Sequence, residues 1–69
     1  MEWIEPQSSN VARFAYEESI QVLKVEFKNG TVYDYYDIPG NVFQGMRSAP
    51  SAGQYLAQNV KGRFRYART

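Results

Sequence analysis

Two alternating segments joined by an Asn-Gly pair constrain the fold of this chain more than any other feature. The segment "IQVLKVEFK" (20–28) alternates between apolar and polar residues, and so does "VARFAYE" (11–17) before it. Alternation with a period of two predicts β-strands. The pair Asn29 and Gly30 is a strong hairpin signal, and "TVYDYYDI" (31–38) follows it at once. The sequence therefore predicts a three-stranded antiparallel meander.

The length of the hairpin loop decides which side chains face the core. A two-residue loop would set Asp34 opposite Val25 and place a carboxylate on the apolar face. A three-residue loop over residues 28–30, with its glycine left-handed, instead sets Tyr33 opposite Val25 and Asp34 opposite Lys24. Only the second register gives one apolar face and a pair of opposite charges. We therefore expect this register, with the Lys24–Asp34 pair exposed to solvent.

Two short helices and a final strand are predicted after the meander. Pro39 can open a helix, and Pro50 ends it. The segment "SAGQYLAQNVKG" is predicted to form a second helix that begins after Ser51, because Ser51 and Gln54 have the spacing of a capping box. The alternation in "RFRYA" (63–67) predicts a strand that returns to the sheet.

These segments together predict an α+β fold, with an antiparallel β-meander of three strands, two short helices packed on one face and a C-terminal closing strand. Residues 1–69 are expected to form a single domain, with residues 1–7 loosely ordered. The chain is short and has no cysteine, so its stability must come from apolar packing. The predicted core combines strand and helix residues: Phe14, Leu23, Val25, Phe27, Tyr33, Tyr35, Phe43, Leu56, Val60 and Phe64.

The residue types present exclude most catalytic chemistry. The chain has no histidine and no cysteine, which excludes zinc-type metal sites and Ser-His or Cys-His nucleophiles. No pair of carboxylates is placed for acid–base catalysis in the predicted fold. We therefore expect a protein that is not an enzyme and that needs no cofactor and no metal.

Charge is distributed unevenly along the chain, although the net charge is only +1. Residues 1–37 contain seven acids and three bases, whereas residues 38–69 contain five bases and no acid. A basic segment of this kind can mark an anion-binding surface. No apolar run is long enough to cross a membrane, and the acidic N-terminus does not resemble a signal peptide. We therefore expect a cytoplasmic protein without a membrane partner.

The basic residues near the C-terminus form the first candidate site. If residues 63–67 are a strand, Arg63 and Arg65 share one of its faces. One interpretation is an edge that binds phosphates, and the other is the ordinary solvated face of a half-buried strand. The predicted nucleic-acid-binding residues are four bases of this segment, one further base and one exposed ring: Lys61, Arg63, Arg65, Arg68, Arg47 and Tyr36.

The start of the second helix is another candidate site. Backbone amides at a helix N-terminus bind anions, and a glycine lets an anion approach closely. Ser51, Ala52 and Gly53 are therefore the predicted anion-binding residues. The alternative is that Ser51 does no more than cap its own helix.

Aromatic residues of the third strand have two interpretations. Tyr33 and Tyr35 could stack nucleic-acid bases, as sheet aromatics do in some RNA-binding folds. The expected register, however, sends both rings to the face that the helices cover, which favours a place in the core. Tyr36 lies on the opposite face and is the better candidate for an exposed ring.

The order of these segments resembles a known family. The chain contains "SSNV" (8–11), "AYE" (15–17), "LKVEFKNGTVYDYYDIP" (23–39), "APSAGQYL" (49–56) and "VKGRFRY" (60–66), and this succession is similar to that of the KTSC domain. The resemblance covers nearly the whole chain from Ser8 onward. Two positions depart from the family pattern: Ala57 stands where an asparagine is expected, and Gly45 lies inside a helix.

The resemblance implies an α+β module with a link to RNA, because the family takes its name from a domain at the C-terminus of some lysyl-tRNA synthetases. It implies no activity, since a fold does not by itself license a function. From the residues and the resemblance together we predict a small non-catalytic module that binds RNA or another polyanion through its basic C-terminal strand. The alternative is a protein-interaction module that uses an aromatic patch or a sheet edge.

Overall fold

A five-stranded antiparallel sheet forms the framework of the chain, and the computed structural model describes all residues from 1 to 69. The strands are neighbours in the order in which they occur along the chain. The sheet confirms the predicted α+β class: it contains the three-stranded meander and the C-terminal strand that the sequence predicted, and one further strand at the N-terminus. The elements are β1 (Trp3–Ile4), β2 (Val11–Glu17), β3 (Val22–Phe27), β4 (Val32–Tyr35), α1 (Gly40–Ser48), α2 (Ala52–Asn59) and β5 (Tyr66–Arg68).

The β3–β4 hairpin has the predicted register. Val25 lies opposite Tyr33, and Lys24 lies opposite Asp34. Gly30 has a φ of +93°, so it takes the left-handed conformation that a three-residue loop requires. The Phe27 amide donates to the carbonyl of Thr31 at 2.8 Å and closes the loop.

The Lys24–Asp34 pair is less exposed than the sequence predicted. The Lys24 ammonium lies 2.8 Å from Asp34 Oδ1, and the two side chains are only 28% and 17% exposed. The small residues Ala15 and Ala67 lie next to this pair on the flanking strands. Asp34 Oδ1 is shielded from solvent and makes no other hydrogen bond. The pair is therefore partly buried, and Lys24 is the group that balances the Asp34 charge.

The core lies between the sheet and the two helices. Both sides contribute fully buried side chains: Val11, Phe14, Leu23, Val25, Tyr35, Ile38, Met46, Ala52, Leu56 and Val60. Six of the ten predicted core residues belong to this set. The other four, Phe27, Tyr33, Phe43 and Phe64, are only partly buried and pack against it. Two short helices cannot cover the whole of one sheet face, so Phe27 and Tyr33 on the sheet keep some exposure.

Helix α2 begins as the sequence predicted. Ser51 is its N-cap, and the Ser51 hydroxyl accepts a hydrogen bond from the Gln54 amide at 3.3 Å. Helix α1 follows Pro39 directly, with Gly40 as its first residue. Neither helix is long and apolar enough to span a bilayer.

The C-terminal strand is displaced from its predicted position. Residues 63–67 were expected to form it, but β5 covers Tyr66–Arg68. The chain leaves α2 through further turns, in which the amides of Arg63 and Phe64 donate to the Val60 carbonyl. Gly62 has a φ of +79° in this segment. These turns use the residues that the alternation had assigned to the strand.

The N-terminal segment is also more regular than expected. Residues 1–7 were predicted to be loosely ordered, yet Trp3 and Ile4 pair with Ala15 and Phe14 of β2. The Arg13 guanidinium lies 4.1 Å from the centre of the Trp3 ring. This contact and the backbone pairing hold β1 at one edge of the sheet, while β5 forms the other edge.

Candidate binding groove

An open groove of about 750 Å³ lies at the β5 side of the sheet, beside the end of α2. We call it the aromatic groove. Its walls come from the turn before β2, the β3–β4 hairpin, the residues after α2 and the edge strand β5. The lining residues are Ser9, Asn10, Phe27, Lys28, Asn29, Thr31, Tyr33, Tyr35, Lys61, Gly62 and Tyr66.

Four rings from three neighbouring strands form the apolar part of the groove. Tyr33 is the central ring: its centroid lies 5.8 Å from that of Phe27, 6.2 Å from Tyr35 and 5.6 Å from Tyr66. Tyr66 lies opposite Tyr35 on the next strand, so all these rings are on the helix-facing side of the sheet. Tyr35 is fully buried, whereas the Tyr66 side is open to solvent, with 60% of that residue exposed.

Burial of Tyr35 changes its acidity. Loss of water around the hydroxyl raises its pKa from 10.0 to about 12, and the neighbouring Tyr33 and Tyr66 add to the rise. The floor of the groove is therefore a neutral phenol throughout the physiological range.

Basic side chains border the rings. The Lys61 ammonium lies 5.1 Å from the centre of the Phe27 ring, within the range of a cation–π contact. Lys28 lines the hairpin side of the groove. Arg68 lies opposite Tyr33 on β5, which places it on the same sheet face as the rings. None of these three bases is in an ion pair, and no carboxylate lines the groove.

The basic residues near the C-terminus, which were predicted to form one phosphate-binding edge, are separated in the structure. Lys61 lines the aromatic groove and Arg68 lies on the same sheet face as its rings, but Arg63 lies in an exposed turn before β5. Arg65 is on the opposite face of the sheet, where its guanidinium lies 5.6 Å from the Tyr36 ring centre and 3.1 Å from Asp37. The interpretation of Arg63 and Arg65 as neighbours on one strand face is therefore wrong, because the strand begins only at residue 66.

Arg47 lies in a different part of the molecule. It lines a smaller cleft that is formed by α1 and the N-terminal segment, together with Glu2 and Glu18. The two acids give this cleft a charge opposite to that of the aromatic groove. Arg47 therefore does not extend the basic border of the groove.

The predicted anion site at the start of α2 has other protein atoms beside it. Ala52 is buried, and the Ser51 hydroxyl is occupied by the Gln54 amide. A Cβ atom at Gly53 would collide with Asn10 Oδ1 and would lie 3.0 Å from the Ser8 hydroxyl oxygen. Gly53 thus provides room for the turn before β2. Anion binding by Ser51, Ala52 and Gly53 stays a prediction.

The sequence predicted Phe27 and Tyr33 as core residues and did not place Tyr66 among the candidate site residues, although all three rings line the groove. The short lengths of the predicted helices already indicated that some aromatic rings of the sheet would stay uncovered. The helices have nine and eight residues, and these cannot cover every aromatic residue of the sheet. No group of three or more acidic, histidine or cysteine side chains is positioned to hold a metal ion.

Comparison with known proteins places this geometry in a family. A family model described as the KTSC domain matches residues 7–64. Lysine–tRNA ligases of Nostoc punctiforme and Trichormus variabilis are 36% and 38% identical to the chain over 63 residues. These matches include 91% of the chain but only 11% of each ligase, so the chain spans about a tenth of the length of these relatives.

Shorter relatives match along most of their length. An uncharacterised protein of Stutzerimonas stutzeri is 36% identical over 63 residues, which are 90% of this chain and 89% of that protein. The crystal structure of a KTSC domain protein from Yersinia pestis superposes with a TM-score of 0.91 at 25% identity. The superposition covers 99% of this chain and 96% of the Yersinia protein.

Proposed function

This chain belongs to the KTSC domain family, as its sequence indicated, and from that premise we propose that it is a non-catalytic module that binds single-stranded RNA in the aromatic groove. In this proposal the open aromatic rings stack against nucleobases, and the basic side chains that border the rings contact phosphates. The site differs from the C-terminal strand edge predicted from the sequence, although it keeps Lys61 and Arg68.

One observation carries the proposal: the groove combines a cluster of four aromatic rings, with Tyr66 exposed at its open side, with basic residues on or beside it that have no acidic partner. Aromatic rings stack with any nucleobase, and basic side chains along the border attract a phosphate backbone. The basic residues on the outer face of the sheet are arranged differently from those at the groove. On the outer sheet face each base is matched by an acid, in the pairs Arg13–Glu26, Lys24–Asp34 and Arg65–Asp37.

The family context supports RNA as the polyanion. Two of the relatives are lysine–tRNA ligases, enzymes that by name act on tRNA. A short module attached to such an enzyme, and also related to short proteins, fits a role in holding RNA. Residue chemistry supports the non-catalytic part of the proposal, because the chain has no histidine and no cysteine for a Ser-His or Cys-His nucleophile. A cytoplasmic location belongs to the same proposal.

The test is a binding titration with a salt series. A fluorescein-labelled single-stranded RNA is titrated with the wild-type chain and with a Lys61→Gln, Arg68→Gln double variant, and binding is followed by anisotropy. Each phosphate contact should contribute roughly 0.7 to the slope of log K against log salt. The double variant should therefore lower the slope by about 1.4 and weaken binding at low salt.

The matched control is an Arg47→Gln, Arg65→Gln double variant. It removes the same charge from the chain, but its two side chains lie in the acidic cleft and on the outer sheet face. Its salt slope should stay close to that of the wild type. If both double variants lose the same RNA affinity and the same salt slope, binding responds to net charge alone, and the proposal is wrong. An RNA that does not bind even at low salt would also overturn it.

A protein partner is the second candidate, and the edge of the sheet favours it. Strand β5 pairs only with β4, so its other side offers backbone groups to an added strand. The Tyr66 ring lies at that edge. Hydrogen exchange separates the two candidates, since a paired partner strand should protect amides of β5, whereas RNA stacking in the groove should leave their exchange rates unchanged.

A further inference from the structure

One end of the aromatic groove is formed by two asparagine side chains whose oxygen atoms are already used. Asn10 comes from the turn before β2, and Asn29 comes from the β3–β4 loop. The two segments are joined by a hydrogen bond from the Lys28 amide to the Asn10 carbonyl at 2.8 Å. The hydrogen bonds of these two side chains decide which groups the groove can offer to a ligand.

The Asn29 side chain is oriented by its own loop. Its Oδ1 atom accepts from the Thr31 amide at 3.1 Å and from the Thr31 hydroxyl at 2.7 Å. These contacts occupy the oxygen and leave the Nδ2 donors without a partner in the chain. Asn29 is exposed at the groove, so its Nδ2 group can donate to a bound molecule.

The Asn10 side chain is held in a similar way. Its Oδ1 atom accepts from the Ser8 hydroxyl at 3.0 Å and lies against Gly53 of α2. The Asn10 Nδ2 donors have no partner in the chain. With Lys28 and Lys61, the amide and charged groups at this end of the groove are therefore all hydrogen-bond donors.

Nucleobases differ in what they present to such donors. Uracil and guanine carry a keto oxygen, O4 or O6, that accepts hydrogen bonds, whereas cytosine and adenine carry an amino group in the equivalent position. A donor that faces an amino group gains no hydrogen bond from the contact, whereas a donor that faces a keto oxygen does. We propose that the aromatic groove discriminates in favour of keto bases through Asn29 and Asn10. This inference rests on the proposed RNA-binding function.

The test compares two pyrimidine octamers that have the same length, charge and ring size. Labelled U8 and C8 are titrated at one salt concentration and at neutral pH, with binding measured by anisotropy. U8 should bind at least about fivefold more tightly than C8, the lower end of what a well-placed base contact gives.

A single variant tests the assignment to Asn29. In Asn29→Asp the carboxylate keeps an oxygen for the Thr31 hydrogen bonds and replaces the amide donor by an acceptor. The U8-to-C8 preference should fall to about one or reverse. The control is Gln44→Glu in α1, which adds the same charge at the acidic cleft. It should weaken both octamers alike and leave their ratio unchanged.

The outcomes separate this inference from the function on which it rests. Equal binding of U8 and C8, or a ratio that Asn29→Asp does not alter, would overturn the keto preference and leave RNA binding intact. Tighter binding of C8 would also overturn the preference. Failure of both octamers to bind would overturn the proposed function together with the preference.

Discussion

Tyr35 lies at the boundary between the core and the aromatic groove, and its burial has a consequence for stability at high pH. The folded chain holds its phenol proton up to a pKa of about 12, whereas the unfolded chain releases it near the ordinary value of 10.0. Because the folded state then binds more protons, the contribution of Tyr35 to the free energy of unfolding should be constant below pH 10 and fall between pH 10 and 12. The loss should approach about 3 kcal/mol.

Urea denaturation of the wild type and of Tyr35→Phe at pH 7, 9 and 11.5 measures this effect. Phenylalanine keeps the ring and cannot ionise, so the variant should lose less stability between pH 9 and 11.5. At pH 7 the two proteins should differ by no more than about 1 kcal/mol, because phenylalanine keeps the buried ring and removes only the hydroxyl. The same loss in both proteins at pH 11.5 would contradict the assignment to Tyr35.

At the scale of the elements, α1 and α2 meet where Gly45 faces the ring of Tyr55. A glycine inside a helix normally costs about 1 kcal/mol relative to alanine. Here a Cβ atom at Gly45 would collide with the hydroxyl and ring of Tyr55. Gly45→Ala should therefore destabilise the chain by about 1–3 kcal/mol, as overpacking does, despite its better helix propensity.

Denaturant titrations of three further variants isolate that contact. In a Tyr55→Ala background the collision is absent, so adding Gly45→Ala should stabilise the protein by a few tenths to about 1 kcal/mol. Gly40→Ala is the control, because a Cβ atom at Gly40 meets nothing within 4 Å. It should not destabilise the chain. A neutral or stabilising Gly45→Ala in the wild-type background would show that the helices shift apart easily.

For the whole molecule, the aromatic residues divide between the packed core and the proposed binding groove. Phe14 and Tyr16 of β2 pack against Phe43 of α1, and the Tyr16 hydroxyl donates to the Ile38 carbonyl at 2.6 Å. At the opposite end of the sheet, Tyr66 is largely exposed at the aromatic groove, which two basic residues also line. Substitutions at this end should therefore weaken RNA binding while changing the free energy of unfolding only slightly.

Tyr66→Ala should weaken binding of a single-stranded RNA by about five- to 150-fold, the range for one base–aromatic stack. Its thermal midpoint should change by only a few degrees, since the ring is mostly exposed. The comparison is Tyr36→Ala, which removes a ring from the outer face near Arg65. Anisotropy and circular dichroism provide the two readouts. Equal RNA affinities of the two variants would exclude stacking on Tyr66.

Local rules were sufficient to predict the hairpin and the cap of α2. The register between Val25 and Tyr33 follows from facial alternation, because the alternative would bury Asp34 among apolar side chains. The N-cap at Ser51 follows from a spacing of three residues to Gln54. The family and the α+β class were also predictable, since the order of these local signals extends over most of the chain.

Tertiary structure alone decided the position of β5 and the site that this strand completes. Alternation in residues 63–67 is compatible with a strand, but it cannot say how many residues the chain needs to turn away from α2. The turn takes the chain to Arg65, and the backbone pairing of Tyr66 with Tyr35 then sends Tyr66 and Arg68 to one face and Arg65 to the other. The groove depends on this pairing between distant segments, and on which rings two short helices leave uncovered. By itself the sequence determined the local geometry of each element, because neighbouring residues decide it, whereas contacts across the chain decided which bases and rings meet.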